Sequence, residues 1–204
     1  MKNSPEQLFQ IFSHPNFLAM KGLANEVPMF IQTYPPGEED KTELTIANIA
    51  ARLKKEGIPV AVIDLFDLVL DLLSASDLLD RAIEKEPTLT KRKMLEMLNN
   101  VADPETRLIP HLSKIIGAPD IKISLIKGVG HLYPFLRTHT ILESLQPAMV
   151  QHPVVMFFPG EYIHEENGPS QLRLFGQLTE SPQSRRFTRP YYRATNLDHY
   201  RIIQ

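Results

Sequence analysis

Two hydrophobic rhythms run along this chain. Short apolar runs bounded by turn residues recur at Val27–Ile31, Val60–Ile63, Ile121–Ile126 and Val154–Phe158. Runs of that length and aliphatic content suit strands buried on both faces of a parallel sheet. Between them, apolar residues return every three or four positions. Leu8, Ile11 and Phe12 mark one helical face, and Ile46, Ile49, Ala50 and Leu53 a second. Leu68, Leu72 and Leu79 mark a third, and Phe135, Leu136, His139, Leu142 and Leu145 a fourth. Two more helices are predicted over Thr90–Asn100 and Pro104–Ile116. Strands alternating with helices predict an α/β fold with a mostly parallel sheet and flanking helices. Phe30, Val62, Leu125 and Val155 should lie on its central strands.

Local signals sharpen the boundaries. Ser4-Pro5 opens the first helix, and Pro28, which cannot donate to a ladder, belongs at the start of the first strand. Asp40, with Glu43 three residues on, reads as the capping box of a helix over Thr42–Glu56 that Gly57 closes. Pro159-Gly160-Glu161 reads as a turn ending the strand at Val154–Phe158. Leu172–Leu178 predicts a short helix, and Tyr191–Ala194 the last strand. A single domain over residues 1–204 is expected, with a helical insertion at about residues 65–116. That connection is longer than a plain crossover needs, so the lobe is a candidate partner surface.

Composition removes several function classes. The 204 residues include no cysteine, which excludes disulfides, thiolate metal sites and cysteine nucleophiles. The net charge of −2 gives no bulk attraction to nucleic acid or membrane. Asp67 and Asp71 interrupt the apolar stretch Leu65–Leu73, so no membrane span is expected. Met1–Pro5 opens into a mixed helix rather than a signal segment, and a cytoplasmic location follows as an expectation. The charge is unevenly spread. From about residue 170 to 204, six arginines stand against Glu180 and Asp198, a net +4. Arg185, Arg186, Arg189 and Arg193 interleave with Phe187, Tyr191 and Tyr192. Arginine beside aromatic rings suits a protein interface or single-stranded nucleic acid, so direct DNA contact through this segment is the rival to partner binding.

Candidate chemistry gathers where the strands end. Lys41-Thr42 stand where the Lys-Thr pair of a phosphate-binding loop would be, after a strand and before a helix. The two glycine positions of that pattern are Pro35 and Asp40, and Glu38 and Glu39 add charge of the wrong sign. Gly128-Val129-Gly130 starts like a dinucleotide fingerprint but has Tyr133 at the third glycine position. With Glu161, these residues outline a vestigial ligand cleft: Lys41, Thr42, Gly128, Gly130 and Glu161. The corresponding architecture would be degenerate P-loop-NTPase-like or Rossmann-like. Histidines 131, 139, 152 and 164 could converge at the same edge, but their spacing lacks the tight pairs of a zinc site. His164-Glu165-Glu166 lacks the second histidine of a zincin motif. No catalytic signature is complete, so no enzyme activity, cofactor or metal is expected.

Several ordered blocks carry a resemblance. They are Lys21–Ile31, Gly128–His139, Ser144-Leu145-Gln146-Pro147, Val154–Tyr162, Leu172–Gly176 and Tyr191–Ala194. In that order and spacing the chain resembles the BrxB family of BREX bacteriophage-exclusion systems, over nearly its whole length. The resemblance implies a small cytoplasmic component of a multi-protein bacterial defence system. It also implies a partner, the PglZ-type alkaline-phosphatase-like protein of that system. It brings no catalytic residues with it. The expected role is therefore a non-catalytic adaptor, with Arg185, Arg186, Arg189, Tyr191, Tyr192 and Arg193 as candidate partner-binding residues.

Overall fold

The computed structural model describes residues 1–21, 28–145, 151–163, 171–176, 178–179 and 194–202. Its strands are β1 (Met29–Tyr34), β2 (Val60–Asp64), β3 (Ile123–Lys127), β4 (Val154–Ile163), β5 (Gln171–Leu174), β6 (Leu178–Thr179) and β7 (Thr195–Asn196). Five of them run parallel in the order β2-β3-β4-β1-β7. One transverse row crosses this sheet. Val62 pairs with Leu125, Leu125 with Val155, Val155 with Phe30, and Phe30 with Thr195. The four residues expected on central strands thus share one row, although Val62 is on the edge strand and 41% exposed.

Among the described residues, eight α-helices accompany the sheet: α1 (Pro5–Ser13), α2 (Pro15–Leu18), α3 (Glu39–Lys55), α4 (Leu65–Ala75), α5 (Leu79–Lys85), α6 (Lys91–Val101), α7 (Ile109–Ile116) and α8 (Thr138–Leu145). Strand residues alternate between two cores, as the period of two demands. Phe30, Leu125, Val155 and Phe157 face one core with α1, α2 and α3. Met29, Ile31, Ile126, Val154, Met156 and Phe158 face the other with α4, α7 and α8. Phe157 and Phe158 are both fully buried, on opposite faces. Each buried ring of this size contributes roughly 2–3 kcal/mol of transfer free energy. α1 starts at Ser4-Pro5 as expected, and a capping box closes it: Ser4 Oγ accepts from Gln7 N, and Gln7 Oε1 accepts from Ser4 N. Gly57 takes the positive φ of +77° that closes α3.

Several expectations need correction. β4 does not stop at Pro159-Gly160-Glu161. It runs through them to Ile163, because its second half finds a new antiparallel partner in β5. Leu172–Leu178 is not a helix. Leu172 and Leu174 are buried on one side of a strand, and Phe175 and Gly176, both at positive φ, turn the chain into β6. α3 begins at Glu39, so Asp40 lies inside its first turn and caps nothing. α8 begins only at Thr138. Before it, residues 129–132 form a 3-10 turn, and the Tyr133-Pro134 bond is cis. The apolar stretch after β2 breaks at Asp77, at φ +54°, into α4 and α5. Pro104–Leu108 is a π turn leading into α7. The last strand among the described residues is Thr195–Asn196, and the expected strand at Tyr191–Ala194 falls, except for Ala194, outside them.

The strand order also bears on the finer architecture. In the common doubly wound orders the first two strands are neighbours. Here β3 and β4 separate β1 from β2, so a Rossmann-like kinship has no support in this order. The chain leaves β1 toward β2 on one side, while the path after β4 reaches β7 on the other. The crossing directions therefore diverge between β1 and β4. In open parallel sheets, ligands collect outside the carboxyl ends at such a point.

Candidate functional site

The carboxyl edge of the sheet is rich in charge, and its charges are largely spent on one another. β2 ends at Asp64 and β3 at Lys127, which pair in register. Lys127 Nζ lies 2.9 Å from Asp64 Oδ2 and 2.6 Å from Glu43 Oε1, so it is held between two carboxylates from different elements. Asp64 has a second task. Its Oδ1 accepts from the N–H groups of Phe66 (2.9 Å) and Asp67 (3.3 Å), capping α4. Burial alone would raise the Asp64 pKa. Lys127 and the two amides outweigh it, and the carboxyl sits below its ordinary value. Burial likewise works against the Lys127 ammonium, but Glu43 and Asp64 outweigh it and the pKa is raised. A lysine of this kind is a poor base and a poor nucleophile. The triad is a clasp joining β2, β3 and α3.

Gly128, immediately after Lys127, belongs to the same clasp. It adopts φ +76°, and any Cβ there would overlap Asp64 Oδ1. Its positive φ and its close approach to the aspartate side chain both call for glycine. Gly130 is buried against Pro159 and Phe175, where a Cβ would come within 2.9 Å of Pro159 Cγ. The phosphate-loop reading fails in the same concrete way. Thr42 is buried and its hydroxyl donates to Glu38 O at 2.8 Å. Lys41 points to solvent, 4.0 Å from Glu38. The connecting turn is Pro35-Pro36-Gly37-Glu38, which has two residues without an N–H.

Beside the clasp a second polar group continues along the edge. Tyr34, at the end of β1, donates from its hydroxyl to Glu39 Oε1 at 3.3 Å. Burial, then the neighbouring Glu39, holds its phenol well above the ordinary range. His131 Nε2 lies 3.4 Å from the same carboxylate oxygen. Beyond the carboxyl end of β1, beside the antiparallel part of β4, lies a cleft of about 610 Å3 with Thr33, Tyr34, Glu161 and Asp198 among its walls. Asp198 accepts from Gln32 Nε2 (3.1 Å) and Thr33 Oγ1 (3.2 Å), while Gln32 accepts from Asn3 Nδ2 at 2.9 Å. Glu161 lies on the antiparallel part of β4, opposite Arg173.

The five residues of the expected cleft are thus scattered among different tasks: Lys41 in solvent, Thr42 in a helix turn, Gly128 and Gly130 in packing, Glu161 on the cleft wall. The two candidate histidines whose side chains are described do not converge. His131 is at the carboxyl edge, but His152 precedes β4 at the opposite end, where its Nε2 is hydrogen-bonded to Ser124 Oγ at 2.9 Å. The His139 side chain and all of His164 are outside the described residues, as are Arg185, Arg186, Arg189, Tyr191, Tyr192 and Arg193. Among the described residues no group of three or more histidine or acidic side chains is placed to hold a metal ion. None of their helices is long and apolar enough to cross a membrane. Sequence reasoning missed Glu43, Asp64, Lys127 and Asp198. The available signal was position: Asp64 and Lys127 each close an apolar strand run.

Comparison with known sequences shows which family the chain belongs to. The family model for BREX protein BrxB matches residues 61–197, more than half of the chain. The chain belongs to the BrxB family. A relative from Bacillus cereus strain H3081.97, described as BREX protein BrxB, is 29% identical over 198 residues, spanning 92% of this chain and 97% of the relative. Another of the same description, from Escherichia coli O9:H4 strain HS, is 24% identical over 159 residues, spanning 76% of this chain and 78% of the relative. No solved structure matches the chain significantly. Membership of BrxB places the chain among components of the BREX phage-defence system. The matched span runs from Ala61 in β2 through β7 and takes in Asp64, Lys127, Gly128 and Glu161, while Asp198 lies one residue beyond it.

Proposed function

We propose that this BrxB chain is a non-catalytic adaptor of a BREX-type phage-defence complex, acting in the cytoplasm and docking other defence proteins. The PglZ-type phosphatase-like protein is the first partner in this reading. The observation that carries it is the saturation of the carboxyl edge. The position at which an α/β enzyme keeps its reacting groups holds instead a lysine neutralised by Asp64 and Glu43, and a glycine pressed against the same aspartate. Such groups fix the ends of strands, and neither Lys127 nor Asp64 is free to serve as a base or nucleophile for a substrate. The basic C-terminal segment supplies arginine and tyrosine, residue types enriched where interfaces carry most of their energy. A vestigial nucleotide-binding role is disfavoured by the Thr42 hydroxyl, which is already donated to its own helix.

The test is capture from cells carrying the whole defence cluster. The parent protein should retain the phosphatase-like partner, and Arg185→Glu/Arg186→Glu should reduce that capture at unchanged melting temperature. Tyr191→Ala should weaken binding by about 2 kcal/mol or more if its ring fills a partner pocket. Intact capture together with lost DNA retention would instead make the chain a DNA-binding subunit. ATP turnover by the pure protein, abolished by changing Lys41, would refute the adaptor reading outright.

A further inference from the structure

One edge of the sheet is open. β2 pairs with β3 on one side and with none of the described strands on the other. Lys122 N donates to Pro59 O. Backbone groups alternate in direction along a strand, so Pro59, Ala61 and Ile63 face β3 while Val60 and Val62 turn their N–H and C=O groups outward. Natural edge strands are usually protected by lysine, proline or a bulge. Val60-Ala61-Val62-Ile63 carries none of these, and Val62 is exposed.

The neighbouring helix makes the edge specific. Asp40, Leu44, Ala47, Ala51 and Lys54 are all exposed on α3, and they follow the alternating four-and-three spacing of a helix–helix seam. Leu44 is 67% exposed, unusual for a leucine with no ligand or partner to cover it. Leu44, Ala47 and Val62 line one groove between α3 and β2. The seam is antisymmetric in charge: an acid begins it, a base ends it, and its middle is small and apolar.

We propose that a second copy of this chain docks here, β2 against β2 in antiparallel pairing, so that two sheets join into one. A two-fold axis normal to the sheet would bring Val62 opposite Val62 of the other copy. It also places the two α3 helices antiparallel on the same face. Ala47 then meets Ala47, Leu44 lies on Ala51, and Asp40 faces Lys54 at both ends of the seam. That axis must pass near both Val62 and Ala47, and the two do line the same groove. Charge complementarity selects this occupant. An unrelated extended segment has no reason to need an acid and a base at opposite ends of the same helix, whereas an antiparallel copy matches both. The inference is independent of the adaptor reading and is tested on the pure protein.

Sedimentation equilibrium should show a monomer–dimer exchange. Asp40→Lys alone and Lys54→Asp alone should each raise the dissociation constant about tenfold or more, since each turns two attractive pairs into repulsive ones. The double swap Asp40→Lys/Lys54→Asp should restore it. The parent has no cysteine. Val62→Cys should therefore cross-link to itself under mild oxidation, because cross-strand Cα separations of about 5.5 Å fall within disulfide range. Ile83→Cys, on α5 and more exposed than Val62, should nevertheless cross-link far more slowly. Unchanged melting temperatures confirm that each variant folds. A protein monomeric at its highest soluble concentration overturns the proposal. So does a dimer indifferent to the charge swaps, or a Val62→Cys no faster to cross-link than Ile83→Cys.

Discussion

The two ends of the parallel sheet are fastened by opposite chemistry. At the carboxyl end, Lys127 is clasped between Asp64 and Glu43, and all three groups keep some contact with solvent. At the amino end, the uncharged Ser124 and His152 share one hydrogen bond with both side chains buried. The difference follows from solvation. An ion pair tolerates partial exposure because water relieves much of its desolvation cost, whereas a charge at the Ser124 position would have to be stripped of water entirely. His152 accordingly titrates below its ordinary range, through burial and then through nearby Lys122. One edge depends on charge being present and the other on charge being absent.

The sharpest way to break this contrast is Lys127→Met. Two half-buried carboxylates would then face each other without a cation. The expected loss is about 2–3 kcal/mol, after discounting for exposure, or roughly 5–10 °C in melting temperature. Adding Glu43→Gln to that variant should recover part of the loss, and an unmoved melting curve would show that the clasp holds nothing. At the amino end, His152→Ala leaves the buried Ser124 hydroxyl unpaired and should cost about 2 kcal/mol. Here the recovery comes from Ser124→Ala, which removes the orphaned group. Additive losses in that double variant would contradict a shared hydrogen bond.

The pH dependence separates the two edges without mutation. His152 has a folded pKa lower than its ordinary 6.5. As pH falls below 6.5 the unfolded chain takes up a proton that the folded chain refuses, and stability declines. Asp64 is lowered from 3.8. Its contribution is complete above that value and is lost only as pH falls through the folded pKa. Melting temperature against pH should therefore fall in two stages, and His152→Gln should flatten the first alone. A single acid transition unaffected by that variant would remove the contrast. The smallest effect belongs to Lys41→Ala. Its ammonium is in solvent, so melting and defence should both be unchanged; a measurable loss of either would reopen the phosphate-loop reading.

What could be read in the sequence depended on how local the signal was. The helix start at Ser4-Pro5, the helix-closing role of Gly57 and the apolar runs that became β1 to β4 are all written in neighbouring residues. The β5–β6 hairpin was misread as a helix. Leu172 and Leu174 alternate with polar neighbours at period two, the strand rhythm, but lie next to a turn too short to advertise itself. Proline and glycine at 159 and 160 suggested a stop because such residues usually end strands. They are tolerated here because β4 changes partners at that point: Pro159 O accepts from Phe175 N at 2.8 Å. The clasp was the least legible part, since Glu43, Asp64 and Lys127 come from three elements and only the sheet brings them together.

The place of β1 in the sheet has a consequence for the order in which the molecule can be made. Met29 lies against Val154, and Phe30 against Thr195. During synthesis the first strand leaves the ribosome long before either neighbour exists. It must wait, with Phe30 and Ile31 uncovered, until most of the chain has been translated. Contacts so distant in sequence form late, and an apolar strand left waiting is a target for chaperones or for mispairing. Production of this protein should accordingly be limited by the interval between the first strand and the fourth, and slowing translation after residue 145 would prolong that exposure.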